Sequence, residues 1–137
     1  MYSEKNRQIV LHIRELFSRK GEMPEYDEAL NAIVLVIRDE FKNTYPLLIS
    51  HYDDVLFILS LEDLEVNRSE ELLKHILNLN WNIKMGCFFY SSKKNICSYK
   101  LSIPLPDEPT KEFMERVIAG VCRILDKHPP EILSHSK

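Results

Sequence analysis

Glycine is scarce in this sequence. Only Gly21, Gly86 and Gly120 occur among the 137 residues, and they are far apart. A Walker loop and a dinucleotide-binding fingerprint both need closely spaced glycines that let the backbone approach a phosphate. The sequence therefore excludes nucleotide hydrolysis of the Walker type and dinucleotide-dependent redox chemistry.

Patterns typical of metal sites and disulfide frameworks are missing as well. The cysteines, Cys87, Cys97 and Cys122, are odd in number and lack CxxC spacing, so we predict free thiols. The five histidines are scattered, without an HExxH or HxxxH pair that would place two imidazole rings on one helical face. We assign no catalytic, cofactor-binding or metal-binding residue, expect no cofactor, and predict that the protein is not an enzyme.

One segment rich in reactive side chains contains Ser50, His51, Asp53 and Asp54. Adjacent residues of a strand point to opposite faces, so Ser50 and His51 do not converge as the members of a catalytic triad must. We interpret this segment as a polar turn.

Neither sign of charge dominates the chain, and long apolar runs are absent. Its 18 basic and 21 acidic residues are mixed along the sequence and give a net charge of -3, which leaves no basic patch for a phosphate backbone. No apolar run approaches the roughly 20 residues of a membrane helix, and the polar N-terminus lacks the apolar core of a signal peptide. We therefore expect a cytoplasmic protein that binds neither nucleic acid nor membrane.

The apolar residues that are present follow helical spacing in three segments. The first helix is predicted over residues 3–20 and ends at Gly21; the second begins after an N-cap Asn67, and the third after Thr110. Pro129-Pro130 ends the third helix. The buried stripe of the second helix is predicted to contain Leu72, Leu73, Ile76 and Leu77.

Three strands are predicted between the first two helices. Residues 31–38 read NAIVLVIR, and this β-branched run favours a strand buried on both faces, although the spacing also fits a helix capped by Asp27. Residues 44–51 and 55–61 predict a hairpin around a short polar turn. Pro46 indicates an edge position or the first residues of its strand, because it lacks a backbone donor.

A second hairpin is predicted between the second and third helices. Its strands begin with residues 82–90 and return from Cys97. Placing Phe89 opposite Cys97 brings the two apolar faces into register. Cys87 and Cys97 are then diagonal neighbours, which agrees with free thiols.

The resulting order, α-β-β-β-α-β-β-α, predicts an α+β fold in which an antiparallel sheet packs against helices. The length suits a single domain over residues 1–137. We expect a weakly ordered tail from about residue 131.

The predicted sheet carries more apolar surface than its own helices can cover. We place Val34, Val36, Leu48, Leu56 and Ile58 on the second face of the first three strands. A second copy of the chain, a protein partner or the first helix would each bury this face. Since two-fold dimers are the commonest oligomers, we expect a homodimer.

The segment LNLNWNIKMGCFFYSSKKNICSYKLSIPL has Asn80 at the end of the middle helix and Gly86 in a strand with aromatic residues. A polar hairpin tip and a proline-rich entry to the last helix follow. With the element order from about Ala32 to Asp126, these features resemble the YbjN family. The resemblance implies a fold like that of the type III secretion (Tir) chaperones, which are commonly homodimeric and bind extended effector segments. YbjN proteins are described as putative bacterial sensory transduction regulators, and neither group brings catalytic residues.

Composition and resemblance together favour a homodimeric binding protein of regulatory or chaperone-like type, which contacts a protein partner through sheet and helix surfaces. The alternative is a small-ligand or redox-sensing domain. Its pocket would lie between the last helix and the sheet, with Cys87, Cys97 or Cys122 as the sensor.

Overall fold

The computed structural model of the protein describes residues 2–19, 21–38 and 42–136; Met1, Lys20, residues 39–41 and Lys137 lie outside the described residues. The helices in this part of the chain are α1 (Glu4–Leu16), α2 (Glu70–Asn82), α3 (Lys111–Lys127) and α4 (Pro129–Ser134). The strands are β1 (Tyr26–Asp27), β2 (Ala32–Arg38), β3 (Thr44–Tyr52), β4 (Val55–Ser60), β5 (Leu64–Glu65), β6 (Cys87–Ser91) and β7 (Ile96–Pro104).

The strands form one antiparallel sheet. Its order is β1-β2-β3-β4-β7, and β7 also pairs with β5 and β6. This architecture confirms the predicted α+β class and the predicted order of the main elements. The two-residue strands β1 and β5 and the short helix α4 are additions that the sequence patterns did not indicate, since each is too short to show a period.

Residues 31–38 form a strand, as predicted, and not a helix. β2 pairs along its length with β3, and Asp27, the cap of the alternative helix, pairs with Ala32 as part of β1. The predicted β3–β4 hairpin is also confirmed. Its turn residues Asp53 and Asp54 both have positive φ, 50° and 61°, which is the conformation of a two-residue turn that matches the twist of a hairpin.

The predicted register of the second hairpin is wrong by one residue. Cys97 lies opposite Tyr90, not Phe89, which pairs with Ser98. A shift of one residue reverses the faces of β6, so Phe88 is buried toward the helices. The cause is Asn80, whose Nδ2 donates to the Phe88 carbonyl while its Oδ1 accepts from the Phe88 N–H, both at 2.7 Å.

Capping side chains begin the three long helices. Ser3 caps α1, and Thr110 caps α3 as predicted, its Oγ1 accepting from the Phe113 N–H at 3.1 Å. The predicted Asn67 cap of α2 is wrong, because Ser69 caps this helix. Asn67 is held instead by Ser136, whose Oγ accepts from the Asn67 N–H at 2.6 Å.

Helix α1 ends earlier than the glycine signal predicts. Its last residue is Leu16, so the expected end at Gly21 is wrong. Gly21, with φ of 81°, forms a turn instead. Arg19 and Glu22 exchange two backbone hydrogen bonds across that turn, at 2.9 and 2.8 Å.

The C-terminal segment differs from the expected weakly ordered tail. Pro129–Ser134 forms α4, with prolines at the first helical positions, where a missing N–H costs no hydrogen bond. Ile132 is completely buried, and α4 contacts both α2 and α3. Burial of this one large apolar side chain explains why the segment packs on the domain.

The core lies between the helices and one face of the sheet. Helix α1 packs on β2 and β3 of its own chain, and α2 packs on β6. The strand residues directed at the helices are almost fully buried, and they include Ile33, Leu35, Leu47, Ile49, Leu56, Ile58, Tyr99 and Leu101.

Candidate protein-binding surfaces

Apolar residues form a patch on the face of the sheet that points away from the helices. We call this surface the outer sheet face and define it by Val34, Val36, Leu48, Phe57 and Leu59, which alternate with core residues along β2, β3 and β4. Val34, Val36 and Phe57 are 39%, 67% and 37% exposed. Exposed apolar side chains that lie side by side on one surface are typical of interaction sites, whereas single ones are not.

The sequence prediction of this face is correct for β2 and β3 and wrong for β4. Leu56 and Ile58, predicted on the outer face, are buried against the helices. Ile58 pairs with Ile49 and Leu56 with His51, and directly opposed residues of an antiparallel pair share a face. The residues of β4 that face outward are therefore the alternate ones, including Phe57.

One edge of the sheet borders the outer sheet face. β1 pairs only with Ala32 and Ile33 of β2. Within the residues that the structure describes, residues 34–38 have β3 as their one strand neighbour. Their outward backbone groups are available to an added strand, as in other proteins that bind extended peptides at a sheet edge.

Helix α2 carries a second exposed apolar surface. Leu77 and Trp81, one turn apart, are 71% and 89% exposed, and we call this pair the α2 stripe. The prediction that Leu77 is buried is wrong, because α2 is anchored to the core by Leu72, Ile76 and Leu79, and Leu77 lies to one side of that line. The signal that could have found it is the width of the apolar surface, which exceeds one helical face.

The candidate sensor cysteines lie in different environments. No disulfide joins any two of them, and Cys97 and Cys122 are buried while Cys87 is partly exposed. Burial raises the pKa of Cys97 to about 11, so very little reactive thiolate forms there at neutral pH. Cys87 pairs with Lys100 and Cys97 with Tyr90, which places the two thiols on opposite faces of the sheet.

His51 is a buried structural residue, so its interpretation as part of a polar turn is wrong. Its Nδ1 lies 2.6 Å from Asn6 Oδ1 on α1, and its Nε2 lies 2.7 Å from the Leu105 carbonyl oxygen. Ser50 points to the other face, as expected for its neighbour in a strand. Through these two contacts the imidazole ring connects α1 and the chain after β7 to the sheet. It does not form a catalytic triad.

Histidines meet where the C-terminal segment packs on α2. The rings of His75 and His135 stack with centroids 4.2 Å apart, and His135 Nδ1 lies 3.5 Å from Glu71 Oε1. Burial, and then the proximity of His135, lowers the pKa of His75. Among the described residues, no group of three or more His, Cys, Asp or Glu side chains is arranged to hold a metal ion.

None of the helices in the described part of the chain is both long and apolar enough to cross a bilayer.

Comparison with known proteins identifies a structural neighbour but no sequence relative. No family model matches the chain, and no curated protein matches it significantly. A chain in the solved HopA1–SchA chaperone–effector complex is similar in structure, with a TM-score of 0.56 and 20% identity, covering 86% of this chain and 87% of the other. The likeness extends over most of the chain and shows its fold, which is like that of a type III secretion chaperone.

Proposed function

We propose that this protein is a non-enzymatic, chaperone-like or regulatory protein that binds a protein partner on the outer sheet face. The observation that carries the proposal is the exposure of Val36 and its apolar neighbours on a sheet whose other face is largely buried by the helices. Burial of such side chains stabilises a complex by roughly 25 cal/mol for each Å² removed from water. The structural neighbour is a chaperone seen with its effector, which supports protein binding as the role of this fold.

The edge of β2 indicates how a partner would bind. A strand added beside residues 34–38 would form backbone hydrogen bonds with the unpaired edge. Alternate side chains of that strand would lie next to Val34 and Val36. Affinity would thus come from the backbone and from apolar contact together, which suits recognition of extended segments.

The α2 stripe is the surface we assign to a second copy of the chain. Leu77 and Trp81 present large apolar side chains one helical turn apart, and a two-fold axis would bring each stripe against its equivalent. Large aromatic residues such as Trp81 often dominate the binding energy of protein interfaces. In this proposal the homodimer forms through the α2 stripe, and the protein partner binds the outer sheet face.

The YbjN resemblance extends this proposal to sensory regulation in the cytoplasm. Two residues that carry it have structural roles: Asn80 fixes β6 through Phe88, and Gly86 adopts a φ of 72°. A Cβ at Gly86 would overlap the Lys100 carbonyl oxygen and the Tyr99 hydroxyl. These residues support a shared fold with YbjN proteins and carry no information on activity.

Capture from the native host lysate tests the proposal when each surface is altered separately. Tagged wild type, Val36→Asp and Trp81→Glu are crosslinked mildly and their co-purifying proteins identified by mass spectrometry. We expect one stoichiometric partner with wild type and with Trp81→Glu, and its loss with Val36→Asp. A partner that is retained by Val36→Asp would show that the outer sheet face is not the binding site.

Sedimentation velocity of the same variants tests the dimer. We expect a wild-type dimer at micromolar concentration, a monomer for Trp81→Glu and a dimer for Val36→Asp. A wild-type monomer over the whole concentration range would disprove the assignment of the α2 stripe.

A further inference from the structure

A groove on the helical side of the sheet lies beside the β2 edge, since Ile37 and Arg38 line it, and it is separate from the α2 stripe. It opens between the C-terminal end of α1, the end of β2 and α3, and has a volume of about 440 Å³. Its floor is apolar, formed by Phe17, Ile37, Ile118 and Cys122. Pockets of about 300–1,000 Å³ with apolar floors are typical of sites for small molecules.

Three arginine side chains line this groove, and none of them is paired with another side chain of the described residues. The side chains of Arg19, Arg38 and Arg123 form no hydrogen bond or ion pair with any residue that the structure describes. Two other arginines lie beside carboxylates: Arg116 binds Glu112 at 2.8 Å, and Arg7 binds Glu4 at 3.3 Å. Arg14 donates to the Pro24 carbonyl oxygen at 2.6 Å, and Arg68, outside the groove, has no side-chain partner among the described residues. Three of the four unpaired guanidiniums therefore lie at one apolar groove, although the chain as a whole carries a net charge of -3.

The carboxylates of the groove limit the charge that it can accept. Glu115 and Asp126 line the same groove, and each already has a neighbour: Lys111 lies 3.9 Å from Glu115, and Asn43 donates to Asp126 at 3.3 Å. Among the described residues that line the groove, three guanidiniums and two carboxylates leave one positive charge. This balance suits a monoanion, because a phosphate dianion would also face repulsion from the two carboxylates.

We propose that this groove binds a small amphipathic carboxylate. Its apolar chain or ring packs on Ile118 and Cys122, and its carboxylate is held by the guanidiniums, whose planar donors match the two oxygens of a carboxylate. The same chemistry occurs in a free medium-chain or aromatic carboxylic acid and in the C-terminal residue of a protein that ends in an apolar side chain.

Four probes define the ligand chemistry. Decanoate and decan-1-ol share an apolar chain and differ in charge, and two peptides that end in leucine carry either a free or an amidated C-terminus. Binding is followed by calorimetry and by amide chemical shifts of the full chain. We expect decanoate or the free peptide to bind at least tenfold more tightly than its uncharged analogue, with shifts in residues 115–126. The acid that binds identifies the source of the ligand.

Surface variants locate the site without disturbing the core. Arg38, Arg123 and Ala119 are exposed and line the groove. We expect the Arg38→Gln/Arg123→Gln variant to bind the carboxylate at least tenfold more weakly, and Ala119→Trp to block it by filling the groove. Arg116→Gln removes a guanidinium of α3 outside the groove and should leave the affinity unchanged.

Several outcomes would overturn the proposal. They are the absence of carboxylate binding at millimolar concentration, equal affinity for carboxylate and alcohol, and wild-type affinity in Arg38→Gln/Arg123→Gln. Dispersed amide spectra of all variants establish that any loss of binding reflects the groove and not unfolding.

Discussion

The two faces of the sheet are formed by alternate residues of the same strands, and both are apolar, but only one is packed. Toward the helices, Ile33 and Ile49 are fully buried, and they stand opposite each other in β2 and β3. On the outer sheet face the neighbouring pair, Val34 and Leu48, remains accessible, and Val36 is 67% exposed. Both faces are therefore apolar, and the face on which the helices pack becomes the core.

This difference separates the residues required for folding from those available for binding. The face toward the helices is buried by elements of the same chain, so its residues should determine the stability of the fold. The outer sheet face is expected to contribute little to the isolated domain, and the proposed contact with another chain would explain its apolar character. Experiments that change one face at a time can test this division.

Cysteine reactivity should show the largest contrast, since Cys87 and Cys97 lie on opposite faces of one hairpin. We expect iodoacetamide to modify Cys97 at least a hundredfold more slowly than Cys87 in the folded protein, because Cys97 is buried and its pKa is raised to about 11. Mass spectrometry of Cys87→Ser and Cys97→Ser variants measures the two rates separately. Rapid modification of Cys97 would contradict its burial and would favour the redox-sensing alternative.

Truncation of one apolar side chain on each face compares their contributions to stability. Ile49→Ala creates a cavity in the core and should lower the free energy of unfolding by about 2–5 kcal/mol. Val36→Ala should change it by no more than about 0.5 kcal/mol, as is usual for exposed sites. Urea denaturation measures both. A loss above about 1 kcal/mol for Val36→Ala would mean that the outer sheet face is covered in solution.

The fold class and main elements are predictable from this sequence because they depend on local patterns. The period of Ile9, Val10 and Ile13 predicts α1, and the β-branched run of β2 predicts a strand. The position of the α2 cap is not predictable in the same way. Asn67 and Ser69 are both good caps, and the contact that removes Asn67 comes from Ser136, at the other end of the chain.

Strand faces and sites depend on contacts that the sequence does not reveal locally. Leu56 and Phe57 are both apolar, so only the pairing of β4 with its neighbours shows which one is buried. Likewise, the guanidiniums of the groove come from three separate parts of the chain: the segment after α1, β2 and α3. No motif joins them, and folding alone brings them together. The candidate surfaces were therefore predicted in kind, as apolar sheet and helix faces, but not in their full composition.

The same comparison of the two faces can be made with two adjacent polar residues of β3, His51 and Ser50. His51→Leu would leave the Leu105 carbonyl and the Asn6 amide without their partner, and we expect it to cost about 1–3 kcal/mol of stability. Ser50→Ala, one residue away on the outer side, should be nearly neutral. Chemical denaturation of the two variants gives the difference. Equal stabilities would show that the hydrogen bonds of His51 do not hold α1 and the chain after β7 to the sheet.

The smallest expected effect on stability comes from the contact between α2 and the C-terminal segment. The pKa of His75 is lowered by burial and by His135, so the unfolded chain binds a proton on this residue more readily than the folded protein. Stability should therefore be unaffected by His75 above its ordinary pKa of about 6.5, and should fall slightly as the pH drops below that value. We expect His75→Phe to abolish this loss of stability at low pH. His12→Phe, which alters a histidine on α1, should retain it. NMR titration of the His75 ring with a midpoint at or above 6.5 would contradict its burial beneath His135.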